Sequence, residues 1–371
     1  MSTFKVDTIN NDGTNAIDAT NGFTIAGNSI VQGYTSSASE PSSPSTGDLW
    51  WDSTNEVLKR YINSEWKELS FAAEAPLWYG DRAVVAGGTS SGSNVIEYFN
   101  ITATGNSSDF GDLTAAKLQF GASGVSNSSR GVFGGGGTAY NVANNTLEYV
   151  TISTTGNATD FGDRTVSSSF TGSASDGTYG LFAGGYSTTD VIDYITIATT
   201  GNATDFGNLT HGRWGVAGSN DATRGVFGMG DGADNIIDYV TIATTGDAVD
   251  FGDLTQARMR GGATGDGTYV VFVGGNASGA NNNAYDIMDY ITVQTTGNAT
   301  DFGDLTSAQA CNLACTGNGS RGVRCGGENN GGSTAWDVID YWTITNANNA
   351  TDFGDLLTAR PHLTATSGNA S

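Results

Sequence analysis

Proline, cysteine, histidine and basic residues are scarce in this chain. Its 371 residues include 4 prolines, 3 cysteines, 2 histidines and 15 lysines and arginines, against 38 aspartates and glutamates, so the formal net charge is -23. Because a nucleic-acid backbone is bound by clustered basic side chains, we expect no nucleic-acid partner. The sequence has no run of 18 apolar residues and no charged-then-apolar leader, so we expect neither a membrane span nor a secretory signal.

Glycine, by contrast, is abundant. The chain has 54 glycines, and its 37% of hydrophobic residues occur in short β-branched and aromatic runs such as Val191-Ile192 and Tyr194-Ile195. This composition predicts an all-β protein with tight turns and a hydrophobic core.

One sequence is repeated six times between residues 82 and 371. Each copy reads roughly R-G-V-F-x-G-G, then a variable stretch, then D-Y-I-T-I-A-T-T-G-N-A-T-D-F-G-D-L-T. The aspartate of the Asp-Phe-Gly triplet recurs at intervals of 51, 45, 45, 51 and 51 residues, at Asp109, Asp160, Asp205, Asp250, Asp301 and Asp352. A period of this length, built from short strands and glycine turns without a helical pattern, is typical of the blades of a β-propeller.

Four strands, A to D, are predicted in each copy. Strand A is a small-residue segment, and an Asp-Gly pair such as Asp266-Gly267 joins it to strand B through a two-residue hairpin turn. Strand B ends in Gly-Gly. Strand C, for example residues 191–197, is apolar on both faces except for one acid, which fits a sheet covered on both sides. Strand D carries a phenylalanine that we expect to pack between neighbouring blades.

The double glycine, the acid-Tyr pair on strand C and the later aromatic residue resemble the Kelch repeat. This resemblance implies a β-propeller in which two aromatic side chains pack between blades. The chain departs from the Kelch pattern by carrying phenylalanine where those repeats usually carry tryptophan. A shared fold says little about chemistry.

The two ends of the repeat region complement each other. The first copy begins at strand B, residues 81–85, and residues 359–371 match strand A of a further copy. We therefore predict that residues 72–371 form a six-bladed Kelch-like β-propeller, in which the C-terminal strand completes the first blade and closes the ring. An open solenoid, the alternative, would leave two apolar edges exposed.

The N-terminal part is predicted to be small and β-rich. Residues 1–35 alternate short β-type segments with Asn-Gly and Asp-Gly turns, and they are expected to fold against a partner as an attachment segment. Residues 36–71 are expected to hold a Ser/Pro linker, running from Thr35 to Thr46, and an aromatic β-hairpin with Trp50, Trp51 and Trp66.

Two N-terminal stretches resemble the openings of tail-fibre and other virion proteins of bacteriophages, especially phages of marine bacteria. They are M-S-T-F-K-V-D-T-I at residues 1–9 and P-S-T-G-D-L-W-W-D at residues 44–52. The resemblance implies a virion protein, made in the host cytoplasm, that attaches to other virion proteins through its N-terminus and displays its C-terminal domain. A homo-oligomer is expected by analogy with fibres.

An acid-Tyr pair occurs once in every copy, with the acid at Glu97, Glu148, Asp193, Asp238, Asp289 and Asp340. A catalytic acid is needed once or twice at one centre, so we predict that these acids are structural. Their expected hydrogen-bond donors are the backbone and the arginines that open strand B, Arg82, Arg130, Arg224 and Arg321. No catalytic residue, cofactor or metal site is predicted, since the Asp-Phe-Gly-Asp corners lack the ligand spacing of a calcium loop.

Four basic residues share one register before strand A: Lys117, Arg213, Arg258 and Arg360. Strand A usually lines the channel of a propeller, so one interpretation places these residues at the channel mouth as an anion site, as in six-bladed sialidases. The favoured interpretation is that they neutralise nearby repeat aspartates. Glycan hydrolysis is therefore the less favoured function.

The loop between strands B and C varies most between copies. These loops carry four aromatic residues, Tyr140, Tyr186, Tyr285 and Trp336. Aromatic side chains on a rigid support suit stacking on sugars or contacts with a protein, so we predict that they form a face binding a host-surface glycan or protein. The alternatives are ordinary surface aromatics and a purely architectural decoration of a capsid or tail.

The three cysteines, Cys311, Cys315 and Cys325, fall in one copy, and both histidines lie outside it. We predict buried thiols that fill the core, because the sequence offers no further ligands for a zinc ion. A disulfide between Cys315 and Cys325 is the alternative.

Overall fold

A computed structural model describes residues 24–25, 28–29, 35–54, 57–62, 64–68, 78–89, 91–121, 123–139, 142–231, 235–277, 284–307, 311–329 and 334–369. Over these ranges the protein is all-β and contains no helix. It divides into two compact units, Met1–Ala73 and Glu74–Ser371. No helix in the described ranges is long and apolar enough to cross a membrane.

The first unit contains two small sheets. In one, β1 (Thr24–Ile25) pairs antiparallel with β2 (Asn28–Ser29). The other has four strands in the order β3 (Thr35–Ser37), β4 (Leu49–Asp52), β5 (Val57–Ile62) and β6 (Glu65–Glu68). The start of the predicted linker is therefore a strand, since β3 runs parallel to β4. Trp50 and Trp66 pack edge to face in this sheet, with ring centroids 5.5 Å apart.

The second unit contains six four-stranded antiparallel sheets, numbered 1 to 6 in chain order, whose strands are called A to D in the order of pairing. Sheet 1 takes strand A from the end of the chain. It consists of β32 (Thr364–Gly368), β7 (Arg82–Ala86), β8 (Ser93–Asn100) and β9 (Ser108–Lys117). Sheet 2 consists of β10 (Gly124–Ser126), β11 (Arg130–Gly134), β14 (Thr146–Thr151) and β15 (Thr159–Asp163). A small hairpin of β12 (Gly137–Ala139) and β13 (Val142–Ala143) lies between strands B and C of sheet 2.

The other four sheets follow sequence order. Sheet 3 is β16 (Gly172–Ser175), β17 (Tyr179–Ala183), β18 (Val191–Thr196) and β19 (Thr204–Asn208). Sheet 4 is β20 (Ala217–Asn220), β21 (Arg224–Gly228), β22 (Ile236–Thr241) and β23 (Val249–Asp253). Sheet 5 is β24 (Gly262–Gly265), β25 (Tyr269–Val273), β26 (Ile287–Thr292) and β27 (Thr300–Asp304). Sheet 6 is β28 (Ala314–Gly317), β29 (Arg321–Cys325), β30 (Val338–Thr343) and β31 (Thr351–Asp355).

The glycine of each Asp-Phe-Gly triplet causes a bulge between strands C and D. In sheet 5, Met288 lies opposite Gly303 and Asp289 lies opposite Asp301, so Phe302 has no partner across the pair. Gly303 has a φ of 141°, which side-chain-bearing residues rarely adopt. The bulge turns the phenylalanine towards the neighbouring sheet.

Hydrophobic clusters lie between neighbouring sheets, as the apolar faces of strand C predict. Each of the six clusters combines residues from two consecutive sheets, and one of them combines sheet 6 with sheet 1. The strand-D phenylalanine is buried in every sheet and meets the strand-C tyrosine edge to face, for example Phe251 with Tyr239 at 5.9 Å between ring centroids. The repeat thus encodes the packing between sheets.

Candidate functional site

The acid of strand C is completely buried in all six sheets and is paired with a buried cation. The nitrogen–oxygen distances are 2.7 Å for Arg360 with Glu97, 3.5 Å for Lys117 with Glu148, 2.9 Å for Arg164 with Asp193, 2.8 Å for Arg213 with Asp238, 2.6 Å for Arg258 with Asp289 and 3.5 Å for Arg324 with Asp340. An unpaired buried charge is strongly destabilising, so each cation is needed to hold its acid inside.

The four basic residues that share one register before strand A all belong to this network. Lys117, Arg213, Arg258 and Arg360 are at most 1% exposed, and each faces a carboxylate rather than an opening. Burial lowers the pKa of Lys117 and raises the pKa of Glu148, its partner at the longer distance of 3.5 Å. In these positions the cations neutralise repeat acids and offer no surface to a dissolved anion.

Two sheets take the cation from another position in the repeat. In sheet 3, Ser168 occupies the basic register, and the cation is Arg164, which replaces the leucine of the other copies. In sheet 6 the cation is Arg324 on strand B, where four other sheets carry phenylalanine. The cation therefore occupies different positions of the repeat in different sheets, but each strand-C acid in the described residues is paired with a cation.

The arginines at the start of strand B do not pair with these acids, contrary to the sequence-based prediction. They lie over the tyrosine of strand C instead, as Arg130 does over Tyr149 at 4.4 Å from the ring centroid. Arg130 also donates to the Ile197 carbonyl of the next sheet at 2.9 Å. Neighbouring residues of a strand point to opposite faces, so an arginine on the tyrosine face cannot reach the acid.

The sheets have two different ends. At the loop end, strand B leaves towards strand C and strand A begins, as the bridge between Met259 and Asn276 shows. At the hairpin end lie the turns from A to B and from C to D. Trp78 and Tyr79, the first described residues of this unit, lie at the hairpin end, where the Tyr79 ring covers Gly319 and Trp78 lies near Gly267.

Six equivalent residues before strand A form a chain of backbone hydrogen bonds at the loop end. All have a φ between 53° and 73°: Gln119, Phe170, Gly215, Arg260, Asn312 and His362. Each N–H donates to the carbonyl of the preceding member at 2.7 to 2.9 Å, from His362 back to Gln119. A longer contact of 3.4 Å, from the Phe120 N–H to the His362 carbonyl, joins the two ends of this chain.

Aromatic rings surround one of these residues, and we call Arg260, Trp214, Phe170 and Tyr186 the Arg260 cluster. The Arg260 guanidinium carbon lies 4.6 Å from the Trp214 ring centroid and 5.4 Å from that of Phe170. Tyr186 meets Trp214 edge to face at 5.9 Å. Gly215 provides the room, since a Cβ there would lie 3.3 Å from Arg260 Cγ. Arg260, Trp214 and Tyr186 are partly exposed, so the cluster reaches the surface of the loop end.

Polar groups flank the Arg260 cluster. The Trp214 indole donates to Asp231 at 2.7 Å, and Asn312 donates to Glu328 at 2.6 Å. Burial raises the pKa of Glu328. Burial and the nearby Arg260 lower the pKa of His362 to about 4, so its imidazole is neutral at neutral pH. The hydrogen bond to Asp231 thus fixes the Trp214 indole, and burial shifts the pKa values of two titratable groups near the cluster, Glu328 and His362.

Of the predicted binding aromatics, only Tyr186 belongs to this cluster. Tyr285 and Trp336 lie partly exposed on the B–C loops of sheets 5 and 6, and their N–H groups donate to Gly275 and Gly327. Tyr140 lies outside the described residues. Trp214 and Arg260 were not predicted from the sequence, because they lie on the connection from strand D to strand A and not on a B–C loop. The one sequence signal for their contact is Gly215, whose missing side chain leaves room for Arg260.

A narrow cavity of about 60 Å³ lies between the six A strands. Small and hydroxyl side chains line it, among them Ser173, Ser219 and Thr316, and Trp78 and Tyr79 cover it at the hairpin end. Ligand pockets are usually roughly 300–1,000 Å³, so this cavity has room only for water.

The three cysteines are buried free thiols, so the alternative of a disulfide is wrong. Burial raises the pKa of Cys311 to about 12, which disfavours the reactive thiolate. The described residues contain no group of three or more histidine, cysteine or acidic side chains arranged to hold a metal ion.

No family model and no curated protein matches this chain.

Proposed function

We propose that the second unit is a closed six-bladed, Kelch-like β-propeller in which each sheet is one blade. Three contacts between the two ends of the repeat region, one within sheet 1 and two between sheet 6 and sheet 1, support closure. The C-terminal strand β32 pairs with β7 over five residues, Phe353 and Phe99 pack at 5.2 Å, and Arg321 donates to the Ile101 carbonyl at 3.2 Å. The same kinds of packing and arginine contact join sheets within the series.

The outer rim supports the same proposal. In each sheet the turn from C to D hydrogen-bonds to strand D of the preceding sheet, an arrangement we call the turn latch. Gly156 donates to Phe110 at 2.8 Å between sheets 2 and 1, and Gly105 donates to Phe353 at 2.9 Å between sheets 1 and 6. A closed ring requires a turn latch between sheet 6 and sheet 1, like those between the other neighbouring sheets.

The function that fits this architecture best is binding without catalysis. One observation carries this proposal: the repeated acids and cations are buried in the scaffold, while the aromatics and Arg260, which has no ion pair among the described residues, lie at the loop end, where the copies differ. Binding faces are commonly built from variable loops on a rigid frame. The loop end is therefore the proposed face for a host-surface glycan or protein.

We further propose that the chain is a bacteriophage virion protein, a tail fibre or another surface appendage. The support is the resemblance of residues 1–9 and 44–52 to phage structural proteins. The first unit would attach to other virion proteins, with the chain as a homo-oligomer. Trp78, the first described residue of the second unit, lies at the hairpin end, so the proposed binding face is at the opposite end of the sheets from Trp78.

The test is a particle carrying the triple substitution Tyr186→Ala, Tyr285→Ala and Trp336→Ala. We expect intact particles in normal yield with reduced adsorption to host cells. Loss of particle assembly would instead favour a purely architectural role, and unchanged adsorption would refute the proposed face. Release of reducing ends from host polysaccharide by the purified protein would show that the chain is a glycan hydrolase.

A further inference from the structure

We propose that the Arg260 cluster binds the carboxylate-bearing sugar of an acidic glycan. This inference rests on the proposed binding function of the loop end and adds the chemical class of the ligand. Arg260 would pair with the carboxylate, and the rings of Trp214 and Tyr186 would contact the sugar.

Arg260 differs from the paired buried cations of the same unit. The guanidinium groups of Arg164, Arg213 and Arg258 each meet a carboxylate within 3 Å. That of Arg260 has no ion pair and no hydrogen bond with any residue the structure describes; its Nε is buried without a partner, as is that of Arg258, so the missing carboxylate is what distinguishes Arg260. The Nη1 and Nη2 groups of Arg260 are not among the buried unpartnered atoms, so they are the donors for which a ligand can supply an acceptor.

The geometry suits a carboxylate. Arginine presents its donors in a planar fork that matches the two oxygens of a carboxylate, and stacking on an aromatic ring leaves the edge of that fork free. The Arg260 guanidinium carbon lies over the Trp214 and Phe170 rings, which cannot accept its hydrogen bonds as a carboxylate would. The donors remain for a ligand.

The neighbouring rings suit a sugar. Trp214 and Tyr186 are both partly exposed and are set at 72° to each other. The hydrogen bond from the Trp214 indole to Asp231 fixes the ring without covering it. Two fixed aromatic faces beside a cation provide apolar contact for the carbon-bound hydrogens of a sugar ring and a charge for its acid group.

The net negative charge of the chain means that an acidic glycan would not bind through general electrostatic attraction. A net charge of -23 repels acidic polymers in general, and Asp231 and Glu328 lie near the cluster. At physiological ionic strength this repulsion is screened beyond about 8 Å, whereas a direct pair with Arg260 is not. Binding of an acidic glycan should therefore depend on this one arginine.

The experiment measures binding of the purified full chain to polygalacturonate and alginate, two uronic-acid polymers, by titration calorimetry. Neutral dextran serves as the control polymer. We expect saturable binding to at least one uronic-acid polymer and none to dextran. The variant Arg260→Gln should weaken binding at least about tenfold. The variant Arg60→Ala removes an exposed arginine that belongs to the first unit and not to the Arg260 cluster, so it should leave the affinity within about twofold.

Three outcomes overturn the inference: no binding to either polymer, equal binding to dextran, or unchanged binding after Arg260→Gln. A thermal melt of each variant checks folding, and Trp214→Phe provides a second variant that keeps a ring but loses the bond to Asp231. If the triple aromatic variant loses host adsorption while the uronic-acid polymers do not bind, the binding function stands and only the ligand class fails. If the triple aromatic variant adsorbs normally but uronate binding depends on Arg260, the ligand class stands and the proposed role in host adsorption fails.

Discussion

Arg324 Nε lies 3.5 Å from the Asp340 carboxylate, on a strand-B position where four other sheets bury a phenylalanine. A large apolar side chain has thus been exchanged for a charged one inside the core. The exchange occurs in the sheet whose sequence has alanine, Ala310, at the basic register before strand A. The buried acid of the repeat therefore requires a cation, wherever in the repeat that cation arises.

Arg324→Phe restores the residue of the other copies, yet we expect it to destabilise the protein. It leaves Asp340 buried without a counter-charge, and breaking a buried pair in this way costs about 3–5 kcal/mol. Arg324→Phe with Asp340→Asn should recover most of that loss. Urea unfolding of the three proteins measures this, and a single variant as stable as the parent would contradict the requirement for a cation.

A second exchange concerns Glu97 in sheet 1. In the other sheets the threonine five residues after the aspartate of an Asp-Phe-Gly triplet donates to the acid, as Thr255 does to Asp289 at 2.6 Å. Leu357 replaces that threonine at sheet 1, and Ser107 donates to Glu97 at 2.5 Å where other copies carry alanine.

Ser107→Ala should lower the free energy of unfolding by about 2 kcal/mol, the usual contribution of a hydrogen bond to a charged group. Adding Leu357→Thr should restore stability, because it reinstates the donor of the other copies. Chemical denaturation of the single and double variants tests this. If the double variant is no more stable than Ser107→Ala, the two donors are not equivalent.

The bulge glycines should tolerate alanine poorly. A Cβ on Gly252 would lie 2.4 Å from the Gly297 carbonyl oxygen of the next turn latch, whereas a Cβ on Gly297 would meet nothing within 4 Å. Both have positive φ, so Gly297→Ala costs only the backbone strain of about 1–3 kcal/mol. Gly252→Ala should cost more than about 3 kcal/mol because it also clashes with backbone. Equal melting temperatures for the two variants would show that the turn latch does not constrain the bulge.

His362 should make stability depend on pH. Its pKa is about 4 in the folded protein, against 6.5 ordinarily, so between pH 6.5 and 4 the unfolded chain binds more protons. The contribution of this histidine is intact above pH 6.5 and is lost as the pH falls through that window, by roughly 3 kcal/mol. Glu328, whose pKa is raised, contributes with the opposite sign.

The matched variant is His362→Gln, since Gln119 occupies the equivalent position with a similar φ. Subtracting its unfolding free energy from that of the parent at pH 7 and at pH 4 isolates the histidine. We expect the variant to lose less stability on acidification. Equal losses would show that His362 is charged or exposed in the folded state.

Much of the strand pattern follows from the sequence because the repeat presents each strand six times. The Asp-Gly turns, the glycine pairs and the apolar strand C predict the four strands, and the missing strand A before Asp81 predicts the pairing of β32 with β7. Each of these signals is local or depends on equivalent positions in different copies.

The partners of the buried acids could not be predicted in the same way. Alignment of the copies shows which residues are equivalent but not which face of a sheet each one occupies, so Arg130 looked as suitable as Arg213. The Arg260 cluster was missed for a related reason. It depends on the absence of a side chain at Gly215, which brings together residues from different copies.

The pairing of β32 with β7 also has a consequence for synthesis on the ribosome. Strand β7 emerges early, but its neighbour β32 is translated only after the rest of the repeat region. At elongation rates of roughly 5–20 residues per second, the edge of the nascent strand Arg82–Ala86 stays without its partner strand for on the order of tens of seconds. Throughout that interval the incomplete chain exposes the unpaired edge of the apolar strand β7, to which another chain could pair. Protection by chaperones therefore matters most before β32 leaves the ribosomal exit tunnel.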